Sequence, residues 1–105
     1  MPAYMIVLAD IANRDAFMHG YAPAAAQLVA RFGGRYVLRA PGGTLLEGTI
    51  AASQSAVISE WPDRASAMRF WNSREYAEAR KLRAGLADCQ VVLIETPAAV
   101  PTCSQ

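Results

Sequence analysis

The chain has 105 residues, the length of one domain, with 53% apolar and only 18% charged residues and a net charge of +1. A balance so near neutral sets up no long-range field toward nucleic acid or an anionic membrane surface, and no stretch approaches the roughly 18 apolar residues of a membrane span. In so small a domain the apolar excess leads us to expect one face hidden against a second copy.

The opening segment, MPAYMIVLADIANRD, lacks the basic region and cleavage pattern of a signal peptide. Residues 3–9 form a short apolar run with Tyr4, Ile6 and Val7, which reads as a buried strand. Asn13 or Asp15 can cap the helix that follows. Phe17, Tyr21, Ala24, Leu28 and Phe32 recur at steps of three and four and give that helix one apolar stripe. Pro23 removes an N–H from the ladder, so a kink or a restart is expected there. Gly33-Gly34 should end the helix, with a glycine in the left-handed conformation.

Residues 35–40 alternate, which places Arg35, Val37 and Arg39 on one strand face and Tyr36, Leu38 and Ala40 on the other. Pro41-Gly42-Gly43 reads as a hairpin turn and residues 44–50 as an extended arm. Residues 55–61 form the third strand, and Pro62 stops it. Asp63 caps a short helix over 65–71, and Ser73 caps the next, with Glu75 in its first turn. Residues 76–87 have helical composition and bring Tyr76, Arg80, Arg83 and Ala87 to one face. Residues 89–95 are the last strand, so residues 1–96 make one domain and 97–105 a loose tail. The order β-α-β-β-α-β is the split pattern of an α+β ferredoxin-like domain. Helices then cover one face of an antiparallel sheet, and the other face pairs with a second copy.

Tyr4, Tyr21, Phe32-Gly33-Gly34-Arg35 and Leu46-Glu47-Gly48 stand in a characteristic order with Glu60-Trp61-Pro62, Ala67, Trp71-Asn72-Ser73, Tyr76 and Arg83. In these residues the chain resembles domain-of-unknown-function family 1330, within the dimeric α+β barrel superfamily. The resemblance covers about residues 3–95 and implies a homodimer. It is similar in outline to small cofactor-free oxygenases and isomerases of that superfamily. One departure is Glu95-Thr96-Pro97, where the family pattern places a glycine after the glutamate.

The glycines of residues 31–48 are punctuation. They follow a helix C-terminus, whereas phosphate sites use the N-terminus, and they match neither phosphate-loop spacing nor G-x-G-x-x-G. The arginines carry more. Arg35 and Arg39 project from one strand face and, where that face meets a helix or a partner subunit, need a carboxylate or an anionic ligand, with Glu47 and Glu60 the intrachain candidates. Glu60 in a central strand serves as a general base if desolvation raises its pKa, and as an ion-pair partner if an arginine lowers it. Tyr21, Arg35, Glu60, Tyr76 and Arg83 are expected to gather around one ligand cleft between helix and sheet, with Arg39 and Glu47 as further ligand-binding candidates. His19, the single histidine, is a second acid–base candidate, although its spacing favours an exposed position.

No cysteine–histidine cluster, nucleophile motif or dinucleotide motif is present, so no metal and no cofactor is expected. Cys89 and Cys103 read as free thiols in a reducing cytoplasm. Two functions follow. In the first, a homodimer binds a small, partly apolar, anionic metabolite between sheet and helices, with cofactor-free acid/base, oxygenase or isomerase chemistry. In the second, the protein is a structural or interaction dimer whose charges are interface ion pairs.

Overall fold

The computed structural model describes residues 1–50 and 54–97. Four strands, β1 (Ala3–Ile11), β2 (Arg35–Ala40), β3 (Ser55–Trp61) and β4 (Ala87–Glu95), form one antiparallel sheet in the order β2-β3-β1-β4. The fold is α+β and ferredoxin-like, as its element order predicts. Of the tail expected over 97–105, residues 98–105 lie outside the described residues, and Cys103 with them.

Between β1 and β2 the chain is helical in three pieces: α1 (Arg14–Ala16), a π-helical turn (Phe17–Tyr21) and α2 (Ala22–Arg31). Asn13 is the N-cap, its side chain accepting from the Ala16 amide at 3.1 Å. Pro23 sits in the first turn of α2, so the chain restarts there, with the wider turn just before it. The helix ends as expected. The Gly34 amide donates to the Val29 carbonyl, the Gly33 amide to Ala30, and Gly33 has φ 95°. Gly34 has a second reason to be glycine: a β-carbon there would lie 2.8 Å from three ring atoms of Trp61.

Trp61 is fully buried and anchors a core with Ala3, Met5, Val29, Ala67, Phe70, Tyr76 and Ala79. Its indole N–H donates to Ser59 Oγ at 2.9 Å. Asp63 caps α3 (Arg64–Trp71) through the Ser66 amide, and Ser73 caps α4 (Arg74–Arg80) through the Tyr76 amide.

Three expectations need correction. First, Pro41-Gly42-Gly43 makes no hairpin turn: residues 44–50, the arm expected after it, pair with no strand. Second, the helix expected over 76–87 stops at Arg80, followed by a single 3-10 turn, Lys81–Arg83. Ala84 is already extended and Gly85 takes φ 75°, so the chain turns into β4 before another helical turn can form. Leu82, in that 3-10 turn, is exposed.

The third correction concerns β2. Tyr36 pairs with Ser59 and Leu38 with Ile58, so Val37 is an extra, unpaired residue. This bulge cancels the simple alternation. Arg35 lies opposite Glu60 and Arg39 opposite Val57, on opposite faces of the sheet.

Candidate functional site

The odd-numbered residues of β1 and β3 face the helices, and between the two layers lies a cavity of about 360 Å³. That is within the roughly 300–1,000 Å³ of small-molecule sites. Its floor is Met5, Val7 and Ala9 of β1 with Val57 and Ser59 of β3. Its roof is Phe17, Tyr21, Ala25 and Val29, and Phe70, Trp71 and Tyr76 close one side. The rings form a continuous chain. Trp61 to Phe70 is 5.1 Å between centroids, Phe70 to Tyr76 4.4 Å, Tyr76 to Tyr21 6.5 Å, and Tyr21 to Phe17 5.1 Å.

The polar groups of this apolar chamber are few. The Tyr21 and Tyr76 hydroxyls are 2.7 Å apart, so one donates to the other and the acceptor keeps a proton to offer elsewhere. Burial, and then the Tyr76 hydroxyl beside it, push the Tyr21 phenol well above its ordinary pKa. Burial also raises Tyr36, against the opposing pull of Arg39. Both therefore remain phenols at neutral pH, each carrying a proton. The Arg39 guanidinium lies 4.8 Å from the Tyr36 ring centroid, and that of Arg83 lies 5.2 Å from Tyr21. Arg80 packs from outside on Trp71 at 4.9 Å and on Tyr76 at 5.7 Å.

At the rim, Arg14 Nη2 donates to Ser55 Oγ at 2.8 Å and to the Pro41 carbonyl at 2.9 Å. Among the described residues no aspartate, glutamate or histidine lines the cavity. Arg14, Arg39 and Arg83 have no carboxylate partner among the described residues. Nor do those residues hold a cluster of three His, Cys, Asp or Glu fit for a metal ion. Cys89 is a free, half-buried thiol on the wall.

The residues singled out in the sequence thus fall in four places. Tyr21, Arg39, Tyr76 and Arg83 line the cavity. Arg35 and Glu60, expected at the cleft, lie instead on the opposite sheet face, because the even-numbered residues of β3 point away from the helices and Arg35 pairs with one of them. There Arg35 Nε donates to Glu60 Oε1 at 2.8 Å, and the Tyr4 hydroxyl donates to Oε2 at 2.7 Å. The Tyr4 hydrogen bond first, then the Arg35 guanidinium, hold the Glu60 carboxyl below its ordinary pKa. The raised pKa a general base would need is therefore absent. Glu47 is exposed beside a recess with Leu8 and Ala56, away from the cavity. His19 is exposed, and its Nδ1–H donates to the Asp15 carbonyl at 2.7 Å.

Tyr36, Ser59, Phe17 and Arg14 were not identified from sequence as cavity residues. Tyr36 faces away from Arg35, as alternation predicts, and was missed because Arg35 was the residue assigned to the cleft. Phe17 was legible only as part of a helical stripe. Nothing in the sequence marked Arg14 or Ser59.

No helix among the described residues is long and apolar enough to cross a membrane. A search of curated proteins finds no match. Solved structures do match. A protein of unknown function from Rhodopseudomonas palustris is 20% identical with a TM-score of 0.74, over 93% of this chain and 84% of that one. SnoaB, a cofactor-independent oxygenase from Streptomyces nogalater, is 17% identical with a TM-score of 0.67, over 95% and 97%. A dimeric protein of ferredoxin-like fold from Bacteroides fragilis is 16% identical with a TM-score of 0.59, over 90% and 96%. At such identities the likeness speaks for the fold alone. The model of the family described as "Domain of unknown function (DUF1330)" matches residues 2–97, and the chain belongs to that family.

Proposed function

We propose that the cavity binds a small, largely apolar molecule carrying one anionic group, and that two copies join through the open face of the sheet. One observation carries the first part: the charged side chains on an otherwise aromatic and aliphatic wall are three arginines with no carboxylate among them. An apolar ligand gains from burial in such a chamber. Its anionic end gains from guanidinium groups and a spare phenolic proton. The same donors lower the energy of an oxyanion, which favours proton transfer, oxygenation or isomerisation on a substrate that ionises in place. SnoaB, a cofactor-independent oxygenase of the same fold, is consistent with that extension. The wall offers no carboxylate or imidazole, so its contribution is to stabilise charge rather than to take a proton.

The second reading, structural ion pairing, is favoured for a different set of residues. Tyr4, Glu60 and Arg35 form their network on the open face, amid Ile6, Ile58, Leu38, Val92 and Ile94. Leu38, Val92 and Ile94 are 43%, 51% and 48% exposed in a single chain. Apolar area of this kind is what a sheet-to-sheet dimer covers.

The test of the cavity is a pair of titrations with naphthalene-2-carboxylate and its neutral carboxamide, which share ring and shape. We expect the carboxylate to bind about tenfold tighter, about 1.4 kcal/mol. Equal affinities, or no binding of either, contradict the proposal.

A further inference from the structure

Tyr36 and Arg39 are three residues apart, and in a regular strand residues at that spacing point to opposite faces. Here they share one face, with the Arg39 guanidinium 4.8 Å from the Tyr36 ring. The cause is the unpaired Val37, which lets Leu38 turn outward opposite Ile58 and returns Arg39 to the cavity side opposite Val57. We propose that the β2 bulge makes Arg39 the residue that selects an anionic ligand for this cavity. The inference rests on the cavity being an anion site.

The two arginines of β2 show what the bulge achieves. Arg35 is fixed on the open face by Glu60. Were the same residues paired in unbroken alternation, with Val37 taking a place in the ladder, Arg39 would follow Arg35 to that face, and Leu38 would take its place beside Tyr36. The cavity wall along β2 would then carry a methyl-ended side chain in place of a guanidinium. Both Val37 and Leu38 are exposed, so neither is needed to fill the cavity. Bulges also blunt sheet edges against unwanted pairing, and β2 is an edge strand. That role alone makes no demand on which residue follows the bulge, so the two roles separate by experiment.

The experiment exchanges neighbours. In the double variant Leu38→Arg with Arg39→Leu, composition and net charge are unchanged, but the guanidinium moves to the open face. Its affinities for naphthalene-2-carboxylate and naphthalene-2-carboxamide are compared with those of wild type. We expect the preference for the carboxylate to fall about tenfold, the scale of one charge-assisted contact, with carboxamide affinity held. Deletion of Val37 straightens the strand and leaves Tyr36 and Arg39 on their present face, so the preference should survive it. Should the exchanged variant fail to fold, Arg39→Met removes the charge in place and should lose the same preference.

A folded exchange variant or Arg39→Met variant that keeps the preference overturns the inference. So does a folded Val37 deletion that loses it. Aggregation of the deletion variant with its preference intact assigns edge protection to the bulge as well and supports the selective role of Arg39. A wild-type protein that does not prefer the carboxylate fails the underlying reading, and this one falls with it.

Discussion

Single side chains divide the charge of this protein between two faces of one sheet. Glu60 accepts from both Tyr4 and Arg35, and its pKa lies below the ordinary carboxylate value. A lowered carboxylate contributes stability above its unfolded pKa, and that contribution is lost as pH falls through its folded pKa. Tyr4→Phe removes the larger of the two causes. Its urea midpoint should therefore fall below that of wild type at neutral pH, and the two should converge in strong acid. A constant gap across pH would show that Tyr4 acts through packing alone. In the cavity, Tyr76→Phe keeps the ring in the core and removes one hydroxyl of the pair. Naphthalene-2-carboxylate should then bind about three- to tenfold more weakly, the scale of one hydrogen bond, as read by calorimetry. Unchanged affinity would take the phenols out of the site. Tyr21 and Tyr76 were legible as cleft residues because helical spacing and helix–sheet layering fix their direction, whereas Arg83 reaches the cavity from the 3-10 turn that replaces the expected helix. For Glu60 the sequence left a base and an ion-pair partner open, and it did not show that the Tyr4 hydroxyl, 56 positions away, reaches its carboxylate.

At the scale of elements, most of the secondary structure was legible, because caps and stops are written in local chemistry. Asn13, Asp63 and Ser73 cap where expected, and Gly33-Gly34 ends α2. The contact between Gly34 and Trp61 is tertiary and invisible to local pattern. Gly34→Ala forces a methyl against a fully buried indole. It should cost about 1–3 kcal/mol by overpacking, seen as a lower midpoint in thermal unfolding. Gly42→Ala, in open space, is the control and should shift stability by no more than about 0.5 kcal/mol. A Gly34→Ala midpoint equal to that of the control would mean that the indole yields. Two element-scale features escaped the sequence. The bulge in β2 is set by pairing with β3, and strict alternation cannot reveal it. The early end of α4 is set by the return into β4, where the Ala12 amide donates to the Leu86 carbonyl at 2.7 Å.

The whole molecule is a sheet with helices and an aromatic cavity on one side and an apolar face on the other. The two-layer arrangement follows from element order, and the apolar excess in the composition finds its place on the open face. If that face joins two copies, sedimentation of the wild-type protein should give a dimer. Val92→Asp, which places a carboxylate among exposed aliphatic residues, should then give a folded monomer. A wild-type monomer in dilute solution would contradict the sheet-to-sheet pairing. The central claim is that the cavity receives an apolar anion. It is tested most directly by a crystal structure of the protein grown with naphthalene-2-carboxylate. The expected result is a ring system lying along Phe70, Trp71 and Tyr76, with its carboxylate against Arg39 or Arg83 and a phenolic proton. A cavity holding only water, with those arginines turned to solvent, would contradict it.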